Sequence, residues 1–447
     1  MPATSGVDFH QVAWLGSAVI LGIVLQHTNG HYEADWIPWL IAAWGLAFAG
    51  VIFRFRLPAY LHGVPVLSTC LLLGFVAQLY AFLMGGDPTI ELRVTDRVKD
   101  LFPFHLAVAI FGATAGAGLA GRLRPVWLPI LLVAYLVAGA RILKLDPLPH
   151  IDVFTVERDS LEALLHKTNP YAITFPDPYG GASPFFPPGV SVGGRLLFGY
   201  VYMPLSLLML IPGYLFGGDP RYSQLVSVAL AAGLVGLARG GTVARAAAAL
   251  FLFTPRTFFV IDRAWTDPFI VLLLAACLFV ATRMPKYLFV PLGLLFCVKQ
   301  QTFIGAPAVL LFMPRPIVWR DVLLLFVKAG LVAMAITLPF VLWDVHAFRN
   351  SALNLREVFR TDSLGIPAHL SQHGVMLSKW TGLFTIVPAT ALALWRAPRT
   401  LAGFAGANAF IHFTLYIFST HCFCNEYFTV TGMLFFAVGA NEWTVAA

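Results

Sequence analysis

The run VLLLFVKAGLVAMAITLPFVLW occupies residues 322–343 and contains one charged side chain, Lys328. An α-helix rises about 1.5 Å per residue, so this run is long enough to cross the roughly 30 Å of hydrocarbon in a bilayer. The whole chain of 447 residues is 59% hydrophobic and 11% charged, and its mean hydropathy is +0.79. This composition predicts an integral membrane protein and excludes a water-soluble enzyme, a secreted toxin and a DNA-binding protein.

Apolar runs recur along the chain and predict an all-α polytopic membrane protein with about fourteen transmembrane helices. The first five runs lie near residues 12–26, 36–53, 60–84, 101–120 and 126–140. The other nine lie near residues 224–237, 245–261, 265–281, 287–298, 303–313, 322–343, 379–394, 402–418 and 428–443. The runs 287–298 and 303–313 are interpreted as half-spans that meet at Lys299, because one straight helix would place Lys299 at mid-membrane.

Basic residues between the runs indicate which loops face the cytoplasm. Arginines lie in residues 54–56 and 122–124, and basic pairs lie at 239/245, 283/286, 315/320 and 396/399. All of these fall on one side if the run 198–216, which contains Pro204 and Pro212, is an interfacial or re-entrant element. The net charge of +7 is then a topology signal, and both termini are expected in the cytoplasm.

Two polar segments, 141–197 and 344–378, are then expected on the extracytoplasmic face. Each is longer than the roughly 12–15 residues above which loops are usually functional. One integral domain is therefore expected over residues 1–447. It comprises a five-span N-terminal extension (1–140), an extracytoplasmic catalytic loop with amphipathic interfacial helices (141–221), central spans (222–343), a second extracytoplasmic loop (344–378) and C-terminal spans (379–447).

The first polar segment contains a candidate general base, Asp152, shortly after a span. Residues 156–165 that follow are predicted to form a short amphipathic helix with Glu157 and Asp159 facing water. Asn169, Pro170 and Tyr171 are predicted to end this helix. A carboxylate held at the membrane boundary in this way is suited to accept a proton from a hydroxyl group.

These features resemble those of membrane glycosyltransferases of the GT-C superfamily. The features are an Asp outside a span, an amphipathic helix ending at Asn169-Pro170-Tyr171, the run Phe185-Phe186-Pro187-Pro188, and Lys299-Gln300-Gln301 after a short span. The resemblance covers roughly residues 152–313 and is strongest to enzymes that use polyprenyl-phosphate sugars, including bacterial mannosyltransferases. In that family the acid usually follows the first span, so the N-terminal helices are interpreted here as an extension or a rearrangement.

The resemblance implies an inverting transfer of one hexose or pentose, with Asp152 as the base. The departing polyprenyl phosphate is anionic, so Lys299 is predicted to hold it, with Arg356, Arg360 and Arg263 as helpers. The predicted substrate-binding residues are Glu157, Asp159, Asn169, Tyr171, Trp265, Asp267, Gln300, Gln301, His369, His373, Glu426 and Tyr427. No metal-ligand spacing is evident, and no cofactor is expected beyond the lipid-linked sugar as co-substrate.

Two other functions stay open at this point. A lipid-linked polysaccharide polymerase or ligase would use Arg349, Arg356, Arg360 and His369 around a pyrophosphate, and the third possibility is a transporter or flippase. The expected partners are the bilayer, the donor and a glycan, lipid or protein acceptor, and no nucleic acid. The Ala-, Gly-, Arg- and Pro-rich composition favours the plasma membrane of a high-GC bacterium, although an endoplasmic-reticulum protein with a dolichol donor would have a similar sequence.

Overall fold

The computed structural model describes residues 6–84, 102–119, 126–181, 186, 189–353, 360–441, 443 and 445. The chain is 71% helical, and its described strands form only short two- and three-stranded pieces of sheet. The predicted all-α class is therefore confirmed.

The N-terminal part of the described chain consists of helices with two short pairs of strands. The helices are α1 (Phe9–Thr28), α2 (Ile37–Ile52), α3 (Val66–Met84), α4 (Phe102–Leu119) and α5 (Trp127–Leu145), and a 3₁₀ turn (Ala34–Trp36) precedes α2. Strand β1 (Val7–Asp8) pairs with β2 (Arg56–Leu57), and β3 (Tyr60–Leu61) pairs with β4 (Val64–Pro65), both antiparallel.

The central part begins with the first polar segment and continues into a helical bundle. It contains α6 (Asp152–Leu165), strands β5 (Phe175–Pro176), β6 (Ser191–Val192) and β7 (Arg195–Leu196), then α7 (Pro204–Gly217), α8 (Arg221–Leu237), α9 (Thr242–Leu252), α10 (Thr257–Asp262), α11 (Asp267–Arg283) and α12 (Phe289–Phe296). Strand β7 lies between β5 and β6. A 3₁₀ turn (Pro285–Tyr287) precedes α12, and a longer 3₁₀-helix (Gln300–Leu311) follows it.

The C-terminal part contains long helices on either side of the second polar segment. These elements are α13 (Trp319–Trp343), α14 (Val345–Phe348), a π-helical turn (Arg349–Leu353), α15 (Ile366–Gln372), α16 (Thr381–Arg396), α17 (Leu401–Ile417) and α18 (Cys424–Gly439).

Five stretches of helix among the described residues are long and apolar enough to cross a membrane. They are Phe9–Thr28, Ala34–Ile52, Val66–Leu83, Trp127–Leu145 and Trp319–Trp343. Several other apolar helices are shorter, including Arg221–Leu237 and Leu401–Ile417. The chain is therefore a mostly helical membrane protein, and the count of fourteen spans stays a prediction.

The helical structure is interrupted in two apolar regions. The interruption at Lys299 was predicted from the sequence, and the one within the run 245–261 was not. The run 245–261 is not one helix, because α9 ends at Leu252 and α10 starts at Thr257. Between them Pro255 lacks an N–H group, and Arg256 has a left-handed φ of 68°, so the α-helical hydrogen-bond ladder stops there. The predicted interruption at Lys299 is confirmed, although the half that follows is a 3₁₀-helix rather than an α-helix.

The N-terminal helices pack into the centre of the molecule. Trp14 of α1 is fully buried, and it lies against Gly50 of α2 and Gly406 of α17. The side chain of Gln11 also donates a hydrogen bond to the carbonyl of Val438 in α18, at 3.2 Å. Helices α1 and α2 therefore form one core with the C-terminal helices, and the description of residues 1–140 as an extension stays a prediction.

The helices share two ends that differ in chemistry. At one end, the basic end, Arg54 donates to the carbonyls of Arg396 and Ala397, and Arg283 donates to the carbonyl of Ala238. The opposite end, the polar end, contains Asp152, Asp267 and Lys299. Both ends of α7 lie at the polar end. The N–H of Leu205, near the start of α7, donates to the carbonyl of Cys297. The guanidinium of Arg221, just after the end of α7, donates to the carbonyl of Asp146.

Close packing around Trp14 predicts that substitution by alanine will affect stability differently at two glycines of α2, Gly50 and Gly45. A Cβ at Gly50 would lie 2.4 Å from Nε1 of Trp14, whereas a Cβ at Gly45 would meet nothing within 4 Å. We therefore expect Gly50→Ala to reduce stability by about 1–3 kcal/mol, as overpacked core substitutions do. Gly45→Ala is the matched control, because both changes raise helix propensity equally. Thermal unfolding in detergent measures both, and equal midpoints for the two variants would contradict this packing.

Candidate functional site

Helix α6 is fixed against the bundle by one apolar side. Phe154, Val156 and Leu161 are buried, and the guanidinium of Arg221 lies 4.8 Å from the ring centroid of Phe154. Arg221 is itself fully buried and pairs with the carboxylate of Asp219, at 2.7 Å. The start of α6 is thus held at the polar end of the bundle.

Glu157 does not face water, contrary to the sequence prediction. Its side chain is fully buried, and its carboxylate accepts hydrogen bonds from Nε2 of Gln224 at 3.0 and 3.3 Å. Burial raises the pKa of Glu157 well above its usual value, against the opposing effect of the Gln224 hydrogen bond. Gln224 belongs to α8, so this contact also ties α6 to the bundle.

Asp152 is the first residue of α6 and is half-buried. Its Oδ1 accepts hydrogen bonds from the N–H of Val153, at 2.9 Å, and from the hydroxyl of Tyr179, at 3.2 Å. Burial raises the pKa of the Asp152 carboxyl above its usual value, opposed by these two donors and by the positive charge of Arg360. A raised pKa brings a carboxylate closer to the range in which it works as a general base near neutral pH.

A tight turn after β5 places Tyr179 beside Asp152. Oδ1 of Asp177 accepts from the N–H of Tyr179, at 2.8 Å, and Oδ2 accepts from the N–H of Gly181, at 3.0 Å. Gly180 and Gly181 have φ values of 71° and 80°, which residues with a Cβ rarely adopt. The turn therefore depends on this Asp and the two glycines.

The second polar segment brings Arg360 within electrostatic range of Asp152. Its guanidinium pairs with both carboxylate oxygens of Asp362, each at 2.6 Å, and lies 4.7 Å from the ring centroid of Phe423. The first turn after α1 also meets this segment, because Tyr32 Oη lies 3.1 Å from Nδ1 of His369. Arg263, after α10, is buried beside Asp262, and its charge acts on Tyr179. Two of the predicted phosphate-binding arginines thus lie within electrostatic range of Asp152 or its partner.

Lys299 lies between two carboxylates at the interruption of the central helix pair. Its Nζ is 3.0 Å from Oδ2 of Asp267 and 3.7 Å from Oε1 of Glu426, and the side chain is 7% exposed. Asp267 also accepts from Asn425, at 2.9 Å, and from Thr429, at 3.0 Å. Lys299, predicted to hold a phosphate, is therefore occupied by two acids, and this Lys299 triad carries a net negative charge when all three groups are ionised.

Tyr202 connects the triad with Asp152. Its ring centroid lies 6.0 Å from Nζ of Lys299. Four acids are in electrostatic range of its hydroxyl: Glu157, Asp152, Asp267 and Glu426. Burial, followed by these negative charges, raises the pKa of the Tyr202 phenol well above its usual value. The Tyr202 phenol therefore stays neutral within electrostatic range of both the triad and Asp152.

A cavity of about 280 Å³ opens beside the triad, between α16, α17 and the long 3₁₀-helix. Its polar lining is Gln300, Gln301, Lys379, Tyr416, Ser419, His421 and Glu426, and its apolar lining includes Trp380 and Phe303. Gln301 donates to the hydroxyl of Tyr416, at 3.0 Å. A polar wall with an aromatic rim is the kind of surface that binds a sugar or a phosphorylated lipid.

The other predicted substrate-binding residues occupy different environments. Asn169, Tyr171 and Tyr427 are buried, and the hydroxyls of Tyr171 and Tyr427 donate to the carbonyls of Tyr202 and Leu364. The rings of Tyr171 and Tyr427 therefore have no face open to a ligand.

The remaining predicted residues are partly accessible. Trp265 is half-buried with its ring packed edge-on to Phe259, and Asp159 pairs with Arg158 at 2.9 Å. Gln300 donates to the carbonyls of Val201 and Ala352, and His369 and His373 lie close together, with ring centroids 4.9 Å apart. Arg356 and most of the run 185–188 lie outside the described residues.

Four residues near the site were not predicted from the sequence: Tyr179, Tyr202, Lys379 and Trp380. The sequence Asp177-Pro178-Tyr179-Gly180-Gly181 is a turn pattern that indicates a fixed aromatic, so Tyr179 had a local signal. No comparable signal marks Tyr202 or Lys379, because their neighbours come from distant segments. No group of three His, Cys, Asp or Glu side chains that could hold a metal ion occurs among the described residues.

The buried charges of the triad predict a strong effect of removing its cation. Lys299→Met leaves Asp267 and Glu426 buried without their counter-charge, which we expect to destabilise the protein by about 3–5 kcal/mol. Lys286→Met removes an exposed lysine and should change the unfolding midpoint little. Adding Asp267→Asn to Lys299→Met should restore part of the loss, and thermal unfolding in detergent measures all three. A Lys299→Met protein as stable as Lys286→Met would show that the triad is not formed.

No family model, curated protein or solved structure matches this chain.

Proposed function

We propose that the protein is a membrane glycosyltransferase that moves one sugar from a polyprenyl-phosphate donor to a hydroxyl acceptor at the polar end. The observation that carries the proposal is the convergence of two polar segments on Asp152, with Tyr179 from the first and Arg360 from the second. A half-buried carboxylate with a raised pKa and a cationic side chain within electrostatic range is the arrangement expected of a general base near an anionic substrate.

The reaction requires one proton acceptor and one stabilised leaving group. The acceptor oxygen attacks the anomeric carbon from the face opposite the phosphate, and Asp152 takes the hydroxyl proton. The bond from the anomeric carbon to the phosphate oxygen breaks, and the bonding electrons leave with the polyprenyl phosphate. A single displacement of this kind inverts the anomeric centre.

The developing charge on the departing phosphate requires cations, which Arg263 and Arg360 supply in the proposal, each while also paired with one neighbouring aspartate, Asp262 or Asp362. Both act electrostatically on Asp152 or its partner Tyr179. Lys299 has a different role from the one that the resemblance implies. In the proposal it holds Asp267 and Glu426 in place, and Lys379 is the cation on the wall of the neighbouring cavity.

The positive-inside rule supports a location for this chemistry. Arg54, Arg396 and Arg399 lie together at the basic end, so we assign that end to the cytoplasm and the polar end to the extracytoplasmic face. Both described ends of the chain then lie on the cytoplasmic side, because Asn441 bonds His10 and Asp8 there. The plasma membrane of a bacterium is the proposed location.

The base is tested by Asp152→Asn, which removes the proton acceptor with little change in volume. Membranes containing wild-type protein should transfer radiolabelled sugar from a polyprenyl-phosphate donor, and the variant should be slower by roughly 10²- to 10⁴-fold. Asp321→Asn, at an exposed position on α13, is the matched control and should be fully active. Protein amounts are matched by immunoblot, and unfolding midpoints are compared.

Other outcomes distinguish the alternatives. Full activity of Asp152→Asn would exclude Asp152 as the base. Incorporation only from a lipid pyrophosphate donor would favour a polymerase or ligase. Movement of the lipid across vesicles without any transfer would favour a flippase.

The pH dependence of transfer tests the role of Tyr179. The Tyr179 hydroxyl lowers the pKa of Asp152 by hydrogen bonding to the carboxylate. Tyr179→Phe removes this donor, so the pKa of Asp152 rises and more of the base is protonated at a given pH. The acidic limb of the pH–rate profile should move to higher pH, with the rate recovering in alkaline buffer. A profile that keeps its position but loses rate at every pH would assign Tyr179 to packing alone.

A further inference from the structure

Four arginines gather at the basic end, away from the proposed active site. Arg54 and Arg56 follow α2, whereas Arg396 and Arg399 lie at and after the end of α16. Asp8 pairs with Arg56, at 3.1 Å. In the described part of the chain, no acidic side chain forms an ion pair with Arg54, Arg396 or Arg399, so this basic cluster carries a surplus of positive charge.

The cluster is held together by Arg54. Its guanidinium donates to the carbonyls of Arg396 and Ala397, the last carbonyls of α16. Burial, and then the charges of Arg399 and Arg396, lowers the pKa of Arg54 below its usual value. These like charges repel one another, and a bound anion would relieve that repulsion.

An apolar surface adjoins the cluster on the same helices. Phe384, Val387 and Trp395 are 74%, 73% and 68% exposed and lie on one side of α16 at helical spacing. The guanidinium of Arg396 lies 4.3 Å from the ring centroid of Trp395. Near Arg54, Phe53 and Phe55 are about half exposed. In a membrane protein these apolar groups contact acyl chains, and exposed Trp residues lie at the level of the lipid headgroups.

We propose that the basic cluster binds the phosphate of an anionic phospholipid whose acyl chains lie along α16 and α2. Arg396 and Arg399 contact the phosphate, Arg54 positions the end of α16, and Trp395 packs against the glycerol and upper acyl region. Basic residues near an anionic membrane surface each contribute to lipid binding, and the four arginines here provide both charge and geometry. The site does not depend on the proposed function.

The test uses purified full-length protein in detergent micelles. Phosphatidylglycerol and phosphatidylcholine with identical acyl chains are titrated, and bound lipid is counted by native mass spectrometry. Wild-type protein should retain phosphatidylglycerol in preference to phosphatidylcholine. The double variant Arg396→Gln/Arg399→Gln, which keeps Arg54 and its carbonyl contacts, should bind phosphatidylglycerol roughly tenfold or more weakly.

The control is Arg315→Gln/Arg320→Gln, which removes the same charge from an exposed pair elsewhere in the chain. Its affinity for phosphatidylglycerol should stay within about twofold of wild type, since it lies outside the cluster. Equal loss in the two double variants would mean that only total charge matters and would overturn the proposal. Equal retention of both lipids by wild-type protein would also overturn it. Competition by inorganic phosphate at the same concentration as the lipid would show that the site binds a free anion instead.

Discussion

The ion pair between Lys299 and Asp267 holds together the segments on which the candidate site depends. Asp267 is the first residue of α11, and Lys299 lies at the interruption between α12 and the long 3₁₀-helix. Glu426 and the amide of Asn425 add the first turn of α18 to the same contact. Burying these charges is costly, and the cost is offset only because each has a partner at short range and further hydrogen-bond donors. Three parts of the chain that are distant in sequence are thereby fixed at the polar end.

This constraint also shapes the space around Asp152. Gln300 and Gln301 directly follow Lys299, so the triad sets the position of one wall of the neighbouring cavity. Tyr202 lies between the triad and Asp152 and is in electrostatic range of both. On the other side, Glu157 and Gln224 fix α6, whose first residue is Asp152. The start of α6, and with it the candidate base, is thus fixed by the buried Glu157–Gln224 contact, while the triad acts near it through charge.

The features predicted from sequence are those that depend on local pattern. Hydropathy identified the long helices, and the polar run at Lys299 marked the interruption of a span because such residues are not tolerated in an isolated helix in lipid. Asp152 was identified because it follows an apolar run and precedes a predicted amphipathic helix, which the structure extends back to Asp152 itself. By contrast, the run 245–261 was predicted as one helix because its hydrophobicity is continuous. The structure has two helices there, α9 and α10, with Pro255 between them.

The features that were missed depend on contacts between distant segments. Glu157 was expected in water because it directly precedes the charged residues Arg158 and Asp159, yet Gln224 of α8 provides a buried partner that no local pattern reveals. Lys299 was expected to bind a phosphate. Its partners in the structure, Asp267 and Glu426, lie 32 positions before it and 127 positions after it in the chain, so no local pattern reveals them. The pairing of Arg54 with α16 is equally non-local, with 342 positions between the partners.

The long 3₁₀-helix has a consequence for how a short segment fits a thick bilayer. A 3₁₀-helix advances about 2.0 Å per residue, compared with about 1.5 Å for an α-helix, so the twelve residues Gln300–Leu311 extend about 24 Å instead of about 18 Å. The narrower, more extended coil therefore gains about 6 Å of depth without any added residue. By this overwinding the segment that starts beside the buried Lys299 triad reaches farther along the helical bundle than an α-helix of the same length would.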